Sequence, residues 1–182
     1  MKKKSLLFAA ILAVLTLGAC TQKETTETTP ENTDTENSTT TETPDAMTSA
    51  SQVTDATTLD VAIGNSWIVI LKNDVTTDKE IVLNGGFTKD GEAVSRKIAL
   101  YDQDSDRNKT ATYTLTAPKL VINDQDANIK GGTFVGDVYV EAENVSLTDA
   151  KVEGNIYFKN EACQNTFTMD ETSSVTGVQE VK

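Results

Sequence analysis

Ala127-Asn128-Ile129-Lys130-Gly131, Ala150-Lys151-Val152-Glu153-Gly154 and Ser173-Ser174-Val175-Thr176-Gly177 share one form, a small residue, an apolar centre and a closing glycine, at intervals of 23 residues. A fixed interval between similar segments is the mark of a stacked repeat, in which each unit buries its apolar face against its neighbours. Inside the interval, Gly136-Asp137-Val138-Tyr139-Val140 matches Gly154-Asn155-Ile156-Tyr157-Phe158, and Val145-Ser146-Leu147 matches Phe167-Thr168-Met169. Side chains alternate along a strand, so Val138, Val140, Ile156, Phe158, Val145, Leu147, Phe167 and Met169 are expected inside. Ile129, Val152 and Val175 are expected to form one interior column, with steps of about 4.8 Å.

Working outward, the chain from Leu59 onward alternates short apolar runs with polar turns and shows no sustained helical period. This predicts an all-β domain, with strands at Trp67 to Leu71, Glu80 to Leu83, Lys97 to Tyr101, Ala111 to Thr116 and Leu120 to Ile122. Asn84-Gly85-Gly86 and Asp90-Gly91 supply turns that need positive φ. Trp67-Ile68-Val69-Ile70-Leu71 is apolar at every position, which predicts burial on both faces. The repeats of 119–182 form a short solenoid, and its open end needs covering, a task that falls to 59–118 as a β cap or as earlier irregular coils. The alternative is an immunoglobulin-like β-sandwich, because strands every 8–12 residues suit that fold as well.

The Val-x-Gly-Asn-Ile form at Val152-Glu153-Gly154-Asn155-Ile156 is similar to the coils of right-handed parallel β-helices, most closely those of bactofilins and more distantly those of pectate-lyase-like proteins. The resemblance spans Leu120 to Val178 and implies a right-handed parallel β-helix. Bactofilins are cytosolic cytoskeletal polymers, whereas the first residues here point out of the cytosol, so the fold is carried over and the role is not.

Those first residues are Lys2, Lys3 and Lys4, then an apolar run from Leu6 to Leu17 broken only by Thr16, then Gly18-Ala19-Cys20. A basic start, a short apolar run and small residues read as a secretory signal peptide. The run is shorter than the roughly 20 residues that span a bilayer. Leu17-Gly18-Ala19-Cys20 resembles the lipobox of bacterial lipoproteins. That resemblance implies a diacylglyceryl group and further acyl lipid on Cys20, removal of 1–19, and an extracytoplasmic protein anchored to the cell membrane. From Thr21 to Thr58 the chain is rich in Thr and acidic residues and has no aromatic residue, Leu, Ile or Gly. Too little apolar surface is present to offset the entropy of folding, so 20–58 reads as a lipidated cysteine followed by a disordered tether. The expected domains are thus 1–19, 20–58 and 59–182.

Loss of residues 1–19 takes three lysines with it and moves the formal charge from −12 to −15. A nucleic-acid strand would be repelled, and no basic stripe is present to release its counterions, which argues against a nucleic-acid partner. With no histidine in the chain, Ser-His-Asp catalysis and His-ligated zinc or haem are excluded. Cys163 is the only cysteine besides Cys20, so with Cys20 lipidated no intramolecular disulfide is expected and Cys163 reads as a buried or half-buried small apolar residue.

Three groups of side chains are candidates for function. Asp102, Asp104 and Asp106, with Asp124 and Asp126, alternate carboxylates as calcium loops do, but Arg107 and Tyr113 stand where an EF-hand needs Gly and Glu. They are read as solvated turns or as a looser calcium site. Tyr139 and Tyr157 occupy equivalent outward positions, either as a stabilising ladder or as a sugar- or protein-binding face. Arg107 and Lys130 are the basic residues available to a polysaccharide lyase. The expected function is a non-enzymatic interaction or envelope-structural domain, whose partner is an envelope polysaccharide or protein. The alternative is a small calcium-dependent carbohydrate-active enzyme.

Overall fold

The computed structural model describes residues 50–182, so the lipobox with Cys20 and most of the Thr-rich segment lie outside the described residues. The described residues include strand and helix on the N-terminal side of the expected boundary at 58/59. Strand β1 (Ala50–Val53) precedes helix α1 (Ala56–Asn65), and Val53 is fully buried. Asp55 caps the helix, accepting from the Thr58 amide while the Thr58 hydroxyl accepts from the amide of Asp55. This reciprocal pair fixes the first turn. Only Leu59 and Ala62 of α1 are buried, too narrow a stripe to show as a helical period.

Next come β2 (Ile68–Leu71), β3 (Val75–Thr76) and β4 (Ile81–Leu83), then a small hairpin of β5 (Thr88–Lys89) and β6 (Glu92–Ala93). After β7 (Lys97–Ala99), β8 (Tyr101–Gln103) and β9 (Lys109–Thr112) form a second hairpin, and β10 (Thr114–Ile122) is long. The chain continues through β11 (Asn128–Lys130), β12 (Thr133–Val140), β13 (Ser146–Thr148), β14 (Lys151–Glu153) and β15 (Ile156–Phe158). Helix α2 (Glu161–Thr166), β16 (Thr168–Met169), β17 (Ser174–Val175) and β18 (Gln179–Val181) complete it.

The fold is all-β and its two large sheets are parallel. One has the order β1-β2-β7-β11-β13-β16. The other runs β17-β14-β12-β10-β3, with β4 also on β10, and β15 joining β12 to β18. Immunoglobulin-like sandwiches are built from antiparallel sheets, so parallel pairing throughout both large sheets removes that alternative. The expected division at 118/119 falls inside β10, at Ala117-Pro118, where its register against β12 shifts. The N-terminal half therefore extends the same two sheets.

The registers correct the interval as well. Ile129 pairs with Ile98 and Leu147 in the first sheet, whereas Val152 pairs with Phe134 and Val175 in the second. The single column of Ile129, Val152 and Val175 does not exist. Paired residues stand 18 apart at Ile129 and Leu147, at Phe134 and Val152, and at Val138 and Ile156. The step grows to 23 between Val152 and Val175 because α2 is inserted there. It grows to 29 between Val69 and Ile98 and to 31 between Ile98 and Ile129, where the two hairpins leave the sheets. The match of Ile129 with Val152 joined similar strand-and-corner units on different sheets.

Six of the eight side chains expected inside are buried. Phe167 is half-buried and Met169 is 39% exposed, because β16 ends its sheet and no strand follows to cover them. In β2, Val69 and Leu71 are buried but Ile68 and Ile70 only half-buried, so the strand is not enclosed on both faces. Cys163, the buried residue of α2, is free and packs in the core. Glycines hold one corner. A Cβ on Gly136 would lie 1.9 Å from the Ala117 carbonyl oxygen, and one on Gly154 would lie 2.0 Å from that of Gly136. Successive backbones approach there more closely than any side chain permits. Among the described residues no helix is long and apolar enough to cross a membrane.

Candidate functional site

Outward positions of the first sheet follow from the burial of their neighbours. Because Val69, Ile98 and Ile129 point inward, Ile68, Ile70, Lys97, Ala99, Asn128 and Lys130 point out. The β8–β9 hairpin leaves this face directly after β7 and stands beside it as a wall. Two hollows result, of about 220 Å³ and 350 Å³, and both are lined by Tyr101 and Gln103. The smaller also takes Arg107, Lys109, Lys130 and Asp149, and the larger takes Gln52, Ile68, Ile70, Lys97 and Ala99.

Each wall has a local cause. The hairpin turn is built by Asp104, whose carboxylate accepts from the amides of Asp106 and Asn108 and from Asn108 Nδ2. The Asn108 bonds hold the Asp104 carboxyl below its ordinary range. The turn places Arg107 at φ 67°, a left-handed conformation, at the hairpin tip. Gly131 seats the Tyr101 ring, since a Cβ there would lie 2.6 Å from Tyr101 Cδ1. Lys130 Nζ lies 6.0 Å from the centre of that ring. Lys72 pairs with Asp102 at 2.6 Å and Lys109 pairs with Asp149, which spends two of the local cations. Lys97, Arg107 and Lys130 have no ion pair among the described residues.

Asp149 is itself held at φ 50° with its amide donating to the Asp170 carboxylate. Asp170 also accepts from Ser173 Oγ and Thr172 Oγ1. The Ser173 bond and then the Asp149 amide draw its pKa down to about 2, from an ordinary 3.8. A depressed carboxyl stabilises the fold fully above its unfolded value and loses that contribution as pH falls toward the folded one. Urea unfolding at about pH 5 and about pH 2 should therefore show a smaller loss on acidification in Asp170→Asn than in the parent. Equal losses would mean that Asp170 is not the titrating group.

No family model, curated protein or solved structure matches this chain.

The other candidates are dispersed. Asp102, Asp104 and Asp106 belong to the β8–β9 hairpin, while Asp124 accepts from the Arg96 amide and Asp126 sits at φ 61° in the turn before β11. No group of three or more carboxylate or thiol ligands occurs among the described residues. Tyr139 and Tyr157 pair in register on β12 and β15, their ring centres 5.1 Å apart. Lys119 covers Tyr139 at 4.5 Å and Lys182 covers Tyr157 at 3.5 Å. Both ends of this stack are thus occupied by cations of the chain itself, the arrangement of a stabilising ladder. Arg107 and Lys130, far apart in sequence, line one hollow. Sequence reasoning missed Tyr101, Lys97 and Gln103. Nothing in the local pattern announces that a hairpin insertion will bring Tyr101 over Gly131.

Proposed function

We propose that the chain is an exported, lipid-anchored bacterial protein whose domain is a short right-handed parallel β-helix acting as a non-catalytic binding scaffold. The lipobox supplies the anchor through Cys20, and the Thr-rich acidic segment supplies distance from the membrane. In-register parallel pairing along both large sheets, with a shortest step of 18 residues, supports the coil reading. One observation carries the binding role, the cleft that the β8–β9 hairpin makes on the outer face of the first sheet. An inserted hairpin adds nothing to the ladders, and it creates a concave site, the form that ligand sites take.

Intact-mass measurement of the membrane fraction tests the anchor. The mature protein lacks residues 1–19 and carries diacylglyceryl on Cys20, and Cys20→Ser is left uncleaved or released. Normal processing and membrane partitioning of Cys20→Ser would overturn it.

A second reading, a calcium-dependent polysaccharide lyase, draws on the meeting of Arg107 and Lys130 in one hollow. Such a lyase needs a carboxylate-bound cation beside the base. Turnover of an acidic polysaccharide that requires calcium and disappears in Asp104→Ala or Asp126→Ala would replace the scaffold reading. Absence of turnover with and without calcium supports the scaffold.

A further inference from the structure

The cleft also bears on what is bound, a step that rests on the scaffold reading. We propose that the paired hollows at Tyr101 hold carboxylated sugar units of an acidic polysaccharide, with Lys97, Arg107 and Lys130 receiving the carboxylates.

Charge is the first ground. In a chain of formal charge −12, six basic side chains of the described residues form no ion pair: Lys89, Arg96, Lys97, Arg107, Lys130 and Lys182. Arg96 is buried and Lys182 lies on the Tyr157 ring. Three of the remaining four line the cleft. Lys97 and Lys130 stand on adjacent strands, with Lys97 opposite Asn128 and Lys130 opposite Ala99. Arg107 lines the smaller hollow with Lys130 while Lys97 lines the larger, and the planar fork of Arg107 suits a carboxylate bound through both oxygens.

The spacing of charge selects among polyanions. Asp102 and Asp149 also line the cleft, each beside its lysine. A densely charged strand such as DNA, with one charge per roughly 1.7 Å, would set phosphates against these carboxylates. A polymer of uronic acids carries a single charge per ring and can place each one at a cation. The uncharged surface fits the same ligand. Tyr101, Ile68 and Ile70 supply apolar surface for the C–H side of a pyranose, and Gln52 and Gln103 offer amides to hydroxyls. The two hollows together fall within the roughly 300–1,000 Å³ of small-ligand sites.

Calorimetric titration of the whole chain with oligogalacturonate, at low and moderate salt, tests this directly. Oligogalacturonate binds, a neutral oligosaccharide of equal length does not, and polyphosphate binds at least tenfold more weakly. Lys130→Gln and Arg107→Gln each weaken oligogalacturonate about tenfold, which corresponds to about 1.4 kcal/mol. Lys89→Gln and Lys182→Gln, whose side chains lie outside the cleft, leave it unchanged. The proposal is overturned by no binding in the parent, by polyphosphate binding as tightly, or by equal losses in all four variants. Circular dichroism of each variant separates lost binding from lost folding. Failure here removes the ligand and leaves the scaffold reading to its own turnover test.

Discussion

Val152→Asp unfolds the C-terminal half of the domain. Val152 is fully buried on β14 between Phe134 of β12 and Val175 of β17, so a carboxylate there faces apolar side chains on both sides and has no donor. Burying an unpaired polar group and losing the valine packing costs several kcal/mol, a large share of the roughly 5–15 kcal/mol that holds a domain together. Glu153→Asp is the matched control. Glu153 is exposed, bonded only to Lys151 at 2.6 Å, and its shortening changes stability by less than about 0.5 kcal/mol. Urea denaturation followed by circular dichroism reads both variants. A folded Val152→Asp with the midpoint of the parent would show that the second sheet does not enclose this column.

Val152 also shows how far the sequence could be read. Its burial, its exposed neighbours Lys151 and Glu153, and its pairing with Val175 all follow from strand alternation and from the 23-residue interval. Its other neighbour did not follow, because that interval is the 18-residue step lengthened by α2. Where the step is unmodified, direct segment matching succeeded: Val138 with Ile156 and Val140 with Phe158 are true partners. Insertions of different lengths at β5–β6, β8–β9 and α2 spoil a constant interval while leaving each ladder intact. The start of the domain was misplaced for a different reason. Ala50–Val53 has the composition of the segment before it, and its strand is specified by pairing with β2, a contact that local pattern does not contain. The cleft was half legible. Arg107 and Lys130 stood out as basic residues in an acidic chain, but their meeting depends on a hairpin folding back beside β11.

Arg96→Ala is expected to cost about 3 kcal/mol, the second large effect. Arg96 is 2% exposed, and its guanidinium Nη1 donates to the Asn84 carbonyl at 2.9 Å and Nη2 to the Ile63 carbonyl at 2.8 Å. Its backbone N–H donates to the Asp124 carboxylate, and its guanidinium carbon lies 4.6 Å from the centre of the Phe87 ring. One side chain thus ties α1 to the turn after β4, while its own backbone is tied to the turn before β11. Truncation leaves two carbonyls without their donors and opens space beneath Phe87. Arg96→Lys keeps the charge, but an ammonium lacks the planar fork that reaches both carbonyls, so its loss falls between parent and alanine. The damage is also expected to be local. Because Ile63 lies in α1, hydrogen exchange in Arg96→Ala should show α1 amides losing protection before those of β12 and β15, which touch none of these groups. Stability within about 1 kcal/mol of the parent would mean that α1 is held without Arg96, and uniform loss of protection across both sheets would mean that Arg96 supports the whole domain and not α1 in particular.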